Sequence, residues 1–155
     1  MDTPATLAAA QLGLDHEVVT YQRVRSIQEG AAAQGIAVAD IVKTLVVRRG
    51  ESDYVYVLVP GDREIDWPKL RAHLGVRRLS LPDAAEAKEA TGYERGTITP
   101  FGASGDWPVI ADQSVSEKPH IGMGGGRHGV SIHASGHDVV KVLDADLADV
   151  TRPGG

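Results

Sequence analysis

The sequence predicts an α/β fold in which a curved, mixed β-sheet is flanked by helices, and three observations carry that expectation. The apolar, β-branched runs Thr44 to Arg49 and Tyr54 to Val59 are joined by the turn-rich Gly50-Glu51-Ser52-Asp53, a hairpin signature. Short helical stretches with their own start and stop residues lie between strand-like runs. Strands and helices follow one another without regular βαβ alternation, which favours a mixed, strongly curved sheet over a doubly wound one.

Each element has a local reason. Thr3 to Leu12 reads as a helix, with Thr3 as N-cap, Pro4 at the first helical position and Gly13 as the stop. His16 to Tyr21 alternates and carries Val18, Val19 and Tyr21, so it reads as a strand. Ser26-Ile27-Gln28-Glu29 matches a capping box and opens a helix through Ala33 that stops at Gly35, with a helical turn expected from Val38 to Ile41. After the hairpin, Pro60-Gly61-Asp62 ends the second strand. Asp66 caps a helix from Trp67 to Leu74 closed by Gly75, Arg77 to Ser80 reads as a brief strand, and Pro82 to Ala90 as a helix. Pro108 to Ala111 and Gly129 to His133 read as short strands, and Asp138 to Leu143 as a helical turn. No repeat period, low-complexity tract or linker divides the chain, so one domain over residues 1–155 is expected.

Composition narrows the functional classes. The chain has 155 residues, 42% hydrophobic and 24% charged, which is ordinary globular usage. No run suits a membrane span, and the N-terminus lacks the basic start and apolar core of a signal peptide, so a cytoplasmic protein without membrane contact is expected. The absence of cysteine excludes disulfides, thiolate zinc sites and a cysteine nucleophile. A net charge of −5 argues against broad binding of duplex DNA. Arg23, Arg25, Arg48, Arg49, Arg77, Arg78, Arg95 and Arg127 could supply a small basic rim, and with 5% aromatics there is little material for stacking a long single strand. A nucleic-acid partner is expected to be touched at one end.

Lys43 interrupts the apolar stretch Ile41-Val42-Lys43-Thr44-Leu45-Val46-Val47. Its ammonium either snorkels to water over an apolar surface or serves an anionic or polar partner in a cleft. The segment Gly92-Tyr93-Glu94-Arg95-Gly96-Thr97-Ile98-Thr99-Pro100-Phe101-Gly102 can expose main-chain N–H groups to an anion or carbonyl oxygen, or can be an ordinary connection.

Lys43-Thr44-Leu45, Gly92-Tyr93, Gly96-x-x-x-Pro100 and Gly125-Gly126-x-x-Gly129 occur in an order and spacing that resemble the YbaK/ProX family of aminoacyl-tRNA deacylases. The similarity extends to the editing domain inserted in bacterial prolyl-tRNA synthetases and runs from about Thr3 to Leu147. The resemblance implies a curved, largely closed mixed sheet flanked by helices. It also implies hydrolysis of the ester joining a small wrong amino acid, of the Cys, Ala, Ser or Thr class, to the 3′ end of tRNA. Carried over from the family, Lys43 anchors the terminal phosphate or ester oxygen, and the Gly96 loop offers N–H groups to the ester carbonyl. Tyr21, Thr44, Thr97, Ile98, Pro100, Gly125, Gly126, His128 and Ser131 are the implied substrate contacts. Neither metal nor other cofactor is implied, and the partners are the aminoacyl-tRNA 3′ end and an aminoacyl-tRNA synthetase. An activated ester can be hydrolysed by positioning and electrostatics without an enzyme nucleophile, which suits this residue inventory.

The chain departs from the family pattern in two places. The frequent Gly-Gly-Ile-Ser-Pro loop reads Gly96-Thr97-Ile98-Thr99-Pro100, which brings a β-branched side chain to the pocket border, and a serine before the Gly-Gly pair is replaced by Gly124. Both weaken the case for a cysteine preference. The rival reading is a non-catalytic module that binds a charged tRNA end or a synthetase. A small-ligand domain unrelated to tRNA is a third, and it leaves the pairing of Lys43 with the glycine loop unexplained.

Other signals weigh less. Gly124-Gly125-Gly126-Arg127-His128-Gly129 fits a dinucleotide string but leads into a strand where a helix is needed. His128, His133 and His137 lack a helix to align them on a metal, and Ser104 misses nucleophile-elbow spacing. Asp83, Glu86 and Glu89 read as a solvated helix face.

Overall fold

A computed structural model describes residues 2–154. In chain order the elements are α1 (Pro4–Gln11), β1 (Glu17–Thr20), α2 (Ile27–Gln34), a 3₁₀ turn (Val38–Asp40), β2 (Ile41–Gly50), β3 (Asp53–Pro60), β4 (Arg63–Ile65), α3 (Trp67–Leu74) and α4 (Ala84–Thr91). Then follow β5 (Val109–Asp112), a second 3₁₀ turn (Gln113–Glu117), β6 (Ile121–Gly124), β7 (Val130–Ala134), α5 (Gly136–Val142), β8 (Asp146–Ala148) and β9 (Thr151–Pro153). Among the described residues no helix is long and apolar enough to cross a membrane.

The caps form as their residue types dictate. Thr3 accepts from the Thr6 N–H, Ser26 from Glu29, Asp66 from Lys69 and Asp83 from Glu86, while Gly35, Gly75 and Gly92 close their helices in the left-handed conformation. The capping box at Ser26 is half made, because Glu29 reaches the Arg25 N–H instead of that of Ser26.

The expected hairpin is the centre of the fold. β2 and β3 pair antiparallel from Val42↔Pro60 to Gly50↔Asp53, and each then takes a parallel neighbour, β6 against β2 and β5 against β3. The full order is β1-β7-β6-β2-β3-β5-β8, a seven-stranded mixed sheet whose outer strands do not pair with each other, so it is not strictly closed; β4 and β9 form a separate ribbon. Five short helices flank it, as the α/β reading expects. Val55, Val57 and Val59 are fully buried on one face against Leu70 of α3, while Tyr54 and Tyr56 pack on the other near Trp107 and Ala90. Truncating Leu70, which is wholly buried, would cost about 2–5 kcal/mol.

Two expectations are corrected, and four strands lie outside those expected. Arg77 to Ser80 is not a strand; only Ser80 bridges the main chain of Arg48. β2 begins at Ile41, so Lys43 lies inside the strand and the preceding helical turn is a 3₁₀ turn ending at Asp40. The strands β4, β6, β8 and β9 carry no sequence signal of their own.

Candidate functional site

The site arises from a gap in strand pairing. On one edge of β2, pairing with β6 ends at Val42↔Met123. Further along the same edge, the Arg48 N–H donates to Ser80 O at 2.8 Å and Arg48 O accepts from the Ser80 N–H at 3.1 Å. Because residues two apart point their main-chain groups to the same edge, Thr44 and Val46 present N–H and C=O into the opening between these points, where no group among the described residues pairs with them. A cavity of ≈ 480 Å³ occupies the opening, with Lys43, Thr44, Gly96, Ile98, His128 and Ser131 among its lining.

Lys43 enters this cavity half-buried and donates from Nζ to the main-chain carbonyl of Arg63 at 2.8 Å. That uses one of the three ammonium donors and leaves two. Arg63 is itself fixed, with Nε donating to Thr151 Oγ1 at 2.6 Å and Nη2 to Thr151 O at 3.2 Å. Burial pulls the Lys43 ammonium below its ordinary value, and the carboxylates of Glu64 and Asp62 oppose that shift. Its neighbour Thr44 has a buried hydroxyl oxygen with no hydrogen-bond partner among the described residues. A buried, unmatched hydroxyl costs about 1–3 kcal/mol by mutational measures; this one is closed off from the cavity, so Thr44 serves the cavity wall through its main chain.

A directed chain of side-chain hydrogen bonds forms another part of the wall. His133, buried on β7, donates from Nε2 to Gln34 Oε1 at 2.8 Å, and Gln34 Nε2 donates to Tyr21 Oη at 3.3 Å. Tyr21 Oη and Ser131 Oγ lie 2.7 Å apart. Whichever oxygen donates in that last bond, one hydroxyl proton of the pair stays uncommitted, and both residues line the cavity. His133 Nδ1 faces His120 Nε2 at 3.0 Å, and burial followed by the charge of His120 lowers the His133 pKa, which keeps it neutral.

The glycine loop closes the cavity from the far side. Gly96 has φ +88, open to glycine and strained for other residues, and no acceptor among the described residues meets its N–H. The loop leans on the β6 end: the Gly126 N–H donates to Thr97 O at 3.0 Å, and a Cβ at Gly124 would meet Ile98 O at 2.8 Å. Glycine at position 124 therefore lets the loop carbonyl sit against β6. His128, in the cavity wall, reaches Glu94 at 3.6 Å.

Of the expected site residues, Lys43, Gly96, Tyr21, Thr44, Ile98, His128 and Ser131 come together around the cavity. Thr97, Pro100, Gly125 and Gly126 stand behind it. Thr97 does not border the pocket: it is buried, and its hydroxyl donates to Glu94 O at 2.8 Å within its own turn. Gly126 makes room for the Tyr93 ring, 2.9 Å from a built Cβ. His128 and His133 serve separate contacts, and among the described residues no cluster of three metal-ligating side chains occurs. Gln34 and Met123 also line the cavity; Gln34 ends a helix whose sequence signal is alanine and caps, which says nothing of its amide.

A family model described as the aminoacyl-tRNA editing domain matches residues 22–142. A proline–tRNA ligase of Thermosipho melanesiensis is 33% identical over 111 residues, which is 72% of this chain and 19% of the ligase. The chain thus spans about a fifth of the length of such ligases. A candidate Cys-tRNA(Pro)/Cys-tRNA(Cys) deacylase of Enterococcus faecalis, EbsC, is 25% identical over 126 residues, 81% of this chain and 77% of that protein. Two solved structures superpose over nearly the whole chain. The hypothetical protein APE2540 has a TM-score of 0.89 at 25% identity, covering 97% of this chain and 100% of its own. A candidate trans-editing enzyme for prolyl-tRNA synthetase has 0.88 at 26%, covering 98% and 99%. The family match takes in well over half of the sequence and includes every residue of the cavity wall but Tyr21, and the chain belongs to the aminoacyl-tRNA editing domain family.

Proposed function

We propose that the protein is an aminoacyl-tRNA deacylase that acts in trans, hydrolysing the ester of a small mischarged amino acid at the tRNA 3′ end. The observation that carries this reading is the pairing gap in β2, where Lys43 and the main-chain N–H groups of Thr44 and Val46 line one cavity opposite the Gly96 loop. These are donors for a carbonyl oxygen and a phosphate, with no nucleophile of the enzyme's own. Water adds to the ester carbonyl carbon, and loop or strand-edge N–H groups stabilise the oxyanion. The acyl C–O bond then breaks, one proton of the water passes to the ribose oxygen and the other to solvent, and the amino acid leaves as its carboxylate. One such oxyanion donor is worth about 3–4 kcal/mol.

Lys43 acts as a point charge on the terminal phosphate or leaving oxygen, and the strand-edge carbonyls of Thr44 and Val46 accept from the substrate's α-ammonium. The uncommitted hydroxyl of the Tyr21–Ser131 pair suits an acceptor on the amino-acid side chain. A small side chain is the reading's substrate class, because a synthetase separates neighbours differing by one methylene by only about 1–3 kcal/mol and leaves such errors for a second site. The relatives' names make tRNAPro the first tRNA to test.

The test is deacylation of tRNAs charged with Cys, Ala, Ser, Thr and Pro, with Lys43→Ala as control. Loss of one aminoacyl group that depends on Lys43 supports the enzyme and names its substrate. Binding of charged tRNA without hydrolysis of any would replace this reading with that of a non-catalytic module.

A further inference from the structure

We propose that an arginine-lined groove beside the cavity receives the sugar-phosphate backbone of the RNA whose 3′ end enters the cavity; this rests on the deacylase reading above. Arg48 and Arg49 at the end of β2, Arg71 in the last turn of α3, and Arg77 and Arg78 beyond it line one open groove. The chain carries 16 basic and 21 acidic residues, so the convergence of five arginines at one place runs against its overall charge.

Two of the five are matched within the protein. Arg49 pairs with Asp53 at 2.9 Å and Arg48 with Glu86 at 3.5 Å. Arg71, Arg77 and Arg78 form no ion pair among the described residues. A basic residue in the last turn of α3 complements the helix dipole, which accounts for Arg71 alone. Arg77 and Arg78 follow the helix stop at Gly75, are exposed, and have no such task.

The groove lies next to the cavity. Ser80 lines the groove while Leu81 and Pro82, the next residues, line the cavity. Along β2, Arg48 follows Lys43 by five residues, roughly 17 Å at about 3.4 Å per residue. A strand whose terminal nucleoside sits near Lys43 therefore leads its earlier phosphates towards the groove. Guanidinium groups match phosphate oxygens in two-pronged contacts, and no aromatic side chain lines the groove to stack a base. The groove thus takes backbone charge without reading sequence.

The experiment compares the wild type with an Arg77→Glu/Arg78→Glu variant on two substrates carrying the same amino acid: full-length tRNA and its ester with adenosine alone. The expected result is a fall of about tenfold or more in kcat/KM on tRNA, mainly through KM. The log–log salt dependence should be shallower by about 1.4, two phosphate contacts at about 0.7 each, with the adenosine ester hydrolysed as before. Equal loss on both substrates, or loss on neither, overturns the proposal. If the wild type hydrolyses neither, the deacylase reading fails and filter binding of uncharged tRNA decides for the groove. Wild-type binding that the variant loses upholds it; binding that the variant keeps, or no binding by either, overturns it. Retention of polyglutamate but not tRNA by the wild type would also overturn it, in favour of an acidic protein partner.

Discussion

The ammonium of Lys43 donates to the main-chain carbonyl of Arg63 at 2.8 Å, so this cation is aimed by a strand outside the main sheet. Lys43→Met keeps most of the buried stem and removes the charge. Loss of the bond to Arg63 should cost about 1 kcal/mol, or about 2–4 °C in thermal midpoint. Deacylation should fall by about 10²-fold or more. Kinetics and a melting curve on one preparation check both, and a protein that no longer folds would make Lys43 structural.

The lowered pKa of Lys43 gives a pH signature. Burial is the main cause, so the active, charged form is lost as pH rises through a value below the ordinary 10.5. The rate, corrected for spontaneous ester hydrolysis, should fall on the alkaline side in the wild type and not in Lys43→Met. The unfolded chain holds this proton more tightly than the folded one, so the Lys43 contribution to stability increases with pH across the same window up to about 10.5.

Thr44→Val separates stability from function. The buried hydroxyl has no partner among the described residues, so its replacement by a methyl should leave the thermal midpoint unchanged or raise it by about 2–4 °C. Turnover should change little, because the hydroxyl oxygen is closed off from the cavity, and a large loss would show that it reaches the substrate in the reaction.

Gly96→Ala acts through the backbone. A Cβ there meets only His128 Cε1 at 3.5 Å, an ordinary contact, whereas φ +88 costs an alanine about 1–2 kcal/mol. The loop should shift and the rate fall with little change in tRNA binding. An unchanged kcat would take the loop out of the reaction.

His133 should set part of the acid stability. Its folded pKa is lowered, chiefly by burial, so the unfolded state binds more protons below about 6.5 and stability falls as pH drops from there towards the lowered value. His133→Gln should be less stable at pH 7 and show a flatter midpoint–pH curve in that window. Parallel curves for the two proteins would assign the acid loss elsewhere.

The hairpin and the helix caps are legible in the sequence because each depends on residues adjacent in the chain. β6 is not, and the reason is specific. Ile121-Gly122-Met123-Gly124 looks like a loop, yet Gly122 is bare because a Cβ would meet Gln34 Oε1 at 2.8 Å and His133 Nε2 at 3.0 Å. Gly124 likewise yields to the Ile98 carbonyl. The glycines that hide the strand are those that let it pass beside the cavity wall. Lys43 stands out in the sequence as a charge in an apolar run, whereas its partner Arg63 contributes a main-chain carbonyl, which no residue type announces. Thr97 misleads for a related reason: its hydroxyl is consumed by a turn three residues back.

The uncovered stretch of β2 is also a matter of self-protection. A bare strand edge along its whole length is a template on which another copy can add and from which fibrils grow. Here the opening is bounded by Met123 at one end and Ser80 at the other, and only Thr44 and Val46 present their main chain between them. A foreign strand would have to displace one of those stoppers before it gained more than two residues of pairing. At this opening the protein can therefore hold main-chain donors ready for a small guest without giving its copies a seam there along which to polymerise.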